Sequence, residues 1–86
     1  MFKFHEVWTT VDENKMVIYF CFEDLSSNQF CVQSMEGYGL PLTTYRNIDA
    51  RKQAIELFIE ESPSDRCVWG TSLKDAIEKF EILMSS

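Results

Sequence analysis

Lys15-Met16-Val17-Ile18-Tyr19-Phe20-Cys21-Phe22-Glu23 decides the fold class of this 86-residue chain. Side chains of a strand alternate between its two faces, so Met16, Ile18, Phe20 and Phe22 share one face and Val17, Tyr19 and Cys21 share the other. Such β-branched and aromatic residues suit a pleated surface. A strand apolar on both faces is central or covered. Asp24-Leu25-Ser26-Ser27-Asn28 then carries turn chemistry, and Gln29 to Met35 reads as the returning strand. Centring this hairpin on Ser26 sets Phe22 opposite Phe30 and Phe20 opposite Val32, and it places Cys21 opposite Cys31.

Towards the N-terminus, Asp12-Glu13-Asn14 is a turn, and Phe2 to Val11 is apolar with a change of phase. Phe2 and Phe4 alternate, Glu6 interrupts their face, and Val7 and Trp8 are adjacent. A bulged strand and a short helix both satisfy that pattern.

Towards the C-terminus, Gly37-Tyr38-Gly39-Leu40-Pro41 reads as a loop that presents Tyr38, and it lacks the Gly-Lys-Ser/Thr of a phosphate loop. A helix follows with Asn47 as N-cap, Asp49 in the first turn, and Ile48, Ala54, Ile55, Phe58 and Ile59 as its apolar face. Ser62-Pro63 stops it. Arg66 to Trp69 reads as a short strand ended by Gly70, and Ser72-Leu73-Lys74-Asp75 is a capping-box signature. Leu73, Ala76, Ile77, Phe80, Leu83 and Met84 stripe the second helix, with Ile82 on its opposite side. The order β-β-β-α-β-α predicts an α+β fold over residues 1–86 as one domain. The expected form is a small antiparallel sheet of three to four strands with two helices on one face.

Fourteen acidic against eight basic residues give a formal charge of −6, which repels phosphate backbones and anionic membranes. The 45% hydrophobic and 14% aromatic content supports a packed core rather than disorder. No basic start followed by an apolar run marks a signal peptide, and Met16 to Phe22 is far too short to span a bilayer. Three cysteines, an odd number without metal-ligand spacing, suit a reduced cytoplasmic protein.

Catalytic chemistry finds little support. His5 is the one imidazole, so a Cys–His nucleophile pair would have to use it, and no second histidine completes a zinc motif. Neither catalytic residues, a metal site nor a cofactor is expected. Arg46, Arg51 and Lys52 form a basic cluster too small for a nucleic-acid face. The acids are more informative. Asp49, Glu56 and Glu60 fall within about 40° on the first helical wheel, opposite its apolar face. Glu60, Glu61 and Asp65 crowd that helix's C-terminal end, where the macrodipole disfavours anions. With Tyr38 and Ile82, the residues Glu56, Glu60, Glu61 and Asp65 form the expected partner-binding set. The expected function is a non-catalytic acidic binding module of the immunity, antitoxin or inhibitor type. It would occupy a basic site on a toxin or nucleic-acid-handling enzyme. The alternative is a self-associating subunit, joined through an uncovered sheet face or an edge strand, and a small Cys/His hydrolase is the third reading.

Overall fold

The computed structural model describes residues 1–40, 46–63 and 67–85, with the backbone alone for 46–50. Strands β1 (Phe2–Asp12), β2 (Lys15–Asp24) and β3 (Gln29–Gly39) precede helix α1 (Arg46–Glu60). The two-residue strand β4 (Trp69–Gly70) and helix α2 (Leu73–Ser85) follow. The sheet is antiparallel in the order β1-β2-β3-β4, so the α+β class and the element order are as the sequence predicts.

β1 is a strand, which resolves the open choice at the N-terminus. Its register against β2 runs unbroken from Phe2↔Asp24 to Thr10↔Met16, and the bulge falls at Val11, not at Glu6. Phe4, Glu6 and Trp8 therefore share one face, and Glu6 is an acid on an apolar surface. It is compensated there: the Arg51 guanidinium of α1 pairs with its carboxylate, and Trp8 Nε1 donates to it at 3.3 Å.

The β2–β3 hairpin corrects the expected register. Its loop has four residues because Asn28 adopts a left-handed φ of 57°, which Asn tolerates, with its N–H bonded to Asp24 O at 2.8 Å. Phe22 thus meets Cys31 and Cys21 meets Val32, so Cys21 and Cys31 occupy opposite faces and do not pair. A bulge at Gln33 then restores the phase, and Phe20 meets Ser34. Beyond it Tyr38 lies opposite Met16 and packs with Ile18 and Phe20. The expected Gly37–Pro41 loop is consequently strand as far as Gly39, and neither Gly37 nor Gly39 has a positive φ.

The helices flank different faces of the sheet, contrary to the expected single layer. Tyr19, Cys21 and Val32 pack on Ala76 of α2, with Leu73, Ile77 and Phe80 around them. Phe22, on the other face of β2, meets Phe58 of α1 at a ring separation of 5.0 Å. The cause is β2 itself. Two apolar faces demand two covers, and one helix layer would leave one of them wet.

Sheet curvature brings Phe2 of β1 onto Trp69 of β4, their rings stacked at 6.2 Å. Phe58 closes over them, 5.7 Å from Phe2. Gly70, expected to break β4, belongs to it and pairs with Phe30. Arg66, at the expected start of that strand, lies outside the described residues.

α2 is capped as the sequence predicts, with one change. Asp75 N–H donates to Ser72 Oγ at 3.0 Å, but the Asp75 carboxylate accepts from Thr71 N–H at 2.9 Å. α1 starts at Arg46, so Asn47 lies inside the helix rather than capping it, a displacement of one or two residues. Among the described residues, no helix is long and apolar enough to cross a membrane.

Candidate docking face

α1 is attached to the sheet by a narrow stripe. Ala54 is 3% exposed, and its carbonyl accepts a bond from Gln33 Nε2 at 3.3 Å. Phe58 and Arg51 lie beside it on the wheel and supply the contacts to Phe2, Phe22 and Glu6. The stem of Arg51 runs along a cavity of about 330 Å³ that Phe4, Phe22 and Phe58 also line, the amphipathic use expected of a long cation.

The rest of the helix faces outward. Ile55 and Ile59, expected in the core, are 60% and 77% exposed. A single helix on one end of a strongly curved sheet can bury only the arc around Ala54, and residues 100° or more away are left outside. Glu56 and Glu60 continue the exposed arc, and Glu61 follows, its N–H bonded to Leu57 O at 3.0 Å. No basic residue stands in the last turn of α1 to offset these acids or the carbonyl end of the dipole. The result is an exposed aliphatic ridge, Ile55 and Ile59, with Lys52, Glu56 and Glu60 beside it on the wheel and Glu61 at the helix end.

The structure divides the other expected site residues. Tyr38 is 7% exposed and belongs to the core, so its assignment as a loop contact is corrected; the phase reset at Gln33 turns it inward. Ile82 is exposed as expected, but α2 carries it on the far face of the sheet from α1. Asp65 lies outside the described residues, as does Tyr45, and of Asp49 only the backbone is described. Glu56, Glu60 and Glu61 are thus the members of the set that the structure brings together.

The groups that could support other chemistry are held in ways that oppose it. His5 and Cys21 are cross-strand neighbours, and Glu23 bonds His5 Nε2 at 3.0 Å, which gives the outline of a nucleophile, base and orienting acid. The Cys21 thiol, however, is wholly buried, and burial, followed by the charge of Cys67, pushes its pKa up to about 12. A thiol so placed stays protonated at neutral pH. The Cys31 thiol is also pushed up, first by its hydrogen bond with Cys67 and then by burial. Among the described residues, no cluster of His, Cys, Asp or Glu could hold a metal ion.

The sequence did not disclose the cavity of about 380 Å³ beside Gln33, between Cys67 and the α2 residues Phe80 and Leu83. Among the described residues, Gln33 Oε1 is buried without a hydrogen-bond partner. Leu83 and Met84, expected to complete the core stripe of α2, are 58% and 65% exposed because that helix overruns the sheet. No protein-family model matches the chain, and neither a curated protein nor a solved structure matches it.

Proposed function

We propose that this chain is a non-catalytic binding module whose α1 docks on a basic protein, in the manner of an immunity protein, antitoxin or inhibitor. The observation that carries this reading is the exposed ridge of Ile55 and Ile59 with Glu56 and Glu60 beside it and Glu61 at the carbonyl end of the helix. Interfaces commonly combine an apolar anchor with a polar rim, and complementary charge accelerates encounter. Folding gains nothing from this arrangement, since it exposes aliphatic surface and sets anions at the negative end of a helix dipole. A toxin or nuclease whose own substrate is anionic supplies the complementary basic site, and a cytoplasmic setting fits the reduced cysteines.

Capture from the native cell on immobilised protein, with neighbouring gene products as candidate partners, identifies the target. Glu56→Gln, Glu60→Gln and Glu61→Gln together are then expected to weaken binding and flatten its salt dependence, with the fold unchanged. Unchanged affinity and unchanged salt slope would remove the acidic mechanism. The edge of the sheet favours a second reading, self-association, and its geometry is independent of α1.

A further inference from the structure

β1 is an edge strand of 11 residues, hydrogen-bonded on one side to β2 and, among the described residues, to nothing on the other. The hydrogen-bond phase of that free side follows from one contact. Leu25 N–H donates to Met1 O at 3.1 Å, which makes Met1 and Leu25 a narrow pair. By alternation Lys3, His5, Val7 and Thr9 also bond to β2, and Phe2, Phe4, Glu6, Trp8 and Thr10 turn their N–H and C=O groups outward.

An outward edge of this length is normally blunted by proline, several lysines, bulges or an inward charge. β1 has no proline, one lysine (Lys3), and a bulge only at its last turn, beside Val11. Its inward charge, Glu6, is neutralised by Arg51. Trp8 and Phe4 remain 66% and 39% exposed along the same edge.

We propose that the outer edge of β1 pairs antiparallel with β1 of a second copy, on a two-fold axis through Val7, to form a continuous eight-stranded sheet. The register is selected by the strand itself. Outward groups meet outward groups only when the axis passes through a residue, and an axis at Glu6 would set two carboxylates face to face. An axis at Trp8 runs into the bulge and keeps three outward pairs, and one at His5 keeps four but sets the two His5 side chains face to face in place of two valines. The axis at Val7 pairs Phe4 with Thr10 and Glu6 with Trp8 of the other copy. Those are four narrow pairs by symmetry, or about eight backbone hydrogen bonds at two per pair. Lys3 of each copy then lies beside Val11 and Asp12 of the other, so opposite charges meet at both ends of the seam. The seam does not use Glu56, Glu60 or Glu61, and a dimer built on it presents two α1 ridges.

The test is sedimentation equilibrium of the whole chain with three variants. The wild type is expected at twice its 10.1 kDa mass. Trp8→Glu sets an added carboxylate opposite Glu6 at two symmetric positions, and its dimer dissociation constant is expected to rise about tenfold or more. Trp8 is mostly exposed, so the circular dichroism of that variant should match the wild type. Val7→Cys puts two thiols about 4.5 Å apart at Cα on the axis, a separation a disulfide can span. Mild oxidation with copper–phenanthroline should trap it as a covalent dimer. Thr9→Cys, whose copies lie about 14 Å apart along the strands, should not be trapped beyond the wild-type background. A wild type that remains monomeric at 100 μM, or a dimer that survives Trp8→Glu, overturns the proposal. So does a dimer that links through Thr9→Cys in preference to Val7→Cys.

Discussion

Replacing Gly70 with alanine should destabilise the protein far more than its size suggests. β4 leads into α2 through Thr71 and Ser72, and the first turn of that helix lies directly over Gly70. A Cβ at Gly70 would stand 2.7 Å from Ala76 N, 2.8 Å from Asp75 Oδ2 and 3.0 Å from Ala76 Cα. Two of these are backbone atoms of a helix and cannot swing aside. The helix cannot retreat either, since Ala76 is 1% exposed and packed against Tyr19, Cys21 and Val32. Overpacking of a tight core typically costs about 1–3 kcal/mol, and a clash with backbone belongs at the upper end. We expect a loss of about 2–3 kcal/mol, which at about 4–8 °C per kcal/mol lowers Tm by roughly 10–20 °C. Urea unfolding at one fixed protein concentration, followed by tryptophan fluorescence, measures it. Gly37→Ala is the control. Among the described residues, nothing beyond its own chain neighbours lies within 4 Å of its Cβ position, so alanine there should be neutral or stabilise by up to about 1 kcal/mol. Equal stabilities for the two alanine variants would refute the close approach of α2 to β4.

Two further outcomes follow from the core. Tyr19 O–H donates to Glu81 Oε1 at 2.5 Å; that bond, then burial, then the charge of Glu81 push its pKa up to about 12. A raised pKa contributes stability that is complete below the ordinary value of about 10 and is lost as pH rises towards 12. Subtracting the 295 nm titration of Tyr19→Phe from that of the wild type should leave a component centred near 12, and one centred near 10 would count against the Glu81 bond. Of the three thiols, Cys21 and Cys31 are buried and Cys67 is half-buried. An Ellman titration of the native protein at pH 8 should therefore find no more than one fast thiol, with the rest released by denaturant. Two fast native thiols would refute the burial of Cys21 or of Cys31 in the sheet.

Much of this fold is legible in the chain because the signals are local. The two apolar faces of Met16 to Phe22, the capping signature at Ser72, and the stop at Ser62-Pro63 act over a few residues. The capping signature is realised by the Ser72 bond to Asp75 N–H, and the strand by β2. The failures are those of phase and placement. One left-handed residue, Asn28, shifts the hairpin by a position, and the bulge at Gln33 shifts it back. Between them they move Phe30 and Cys31 to different faces from those that simple alternation assigns, and they return Tyr38 to the face of Ile18 and Phe20. Of the candidate site, Glu56, Glu60 and Glu61 could be read from the helical wheel. Ile55 and Ile59 could not, since an apolar residue on a helix gives no sign of whether the sheet reaches it.

By itself the sequence determined the α+β class, the element order and the acidic excess, because periodicity, turn chemistry and net charge are properties of the chain alone. Only the tertiary structure decided that the helices cover opposite faces of the sheet, that Glu6 is answered by Arg51 from 45 residues away, and that β1 is left as an edge. These depend on which surfaces meet after the sheet curls, and curvature arises from pairing between distant strands. The same long-range geometry leaves Ile55 and Ile59 uncovered beside the acids, turning a charge imbalance into a shaped surface.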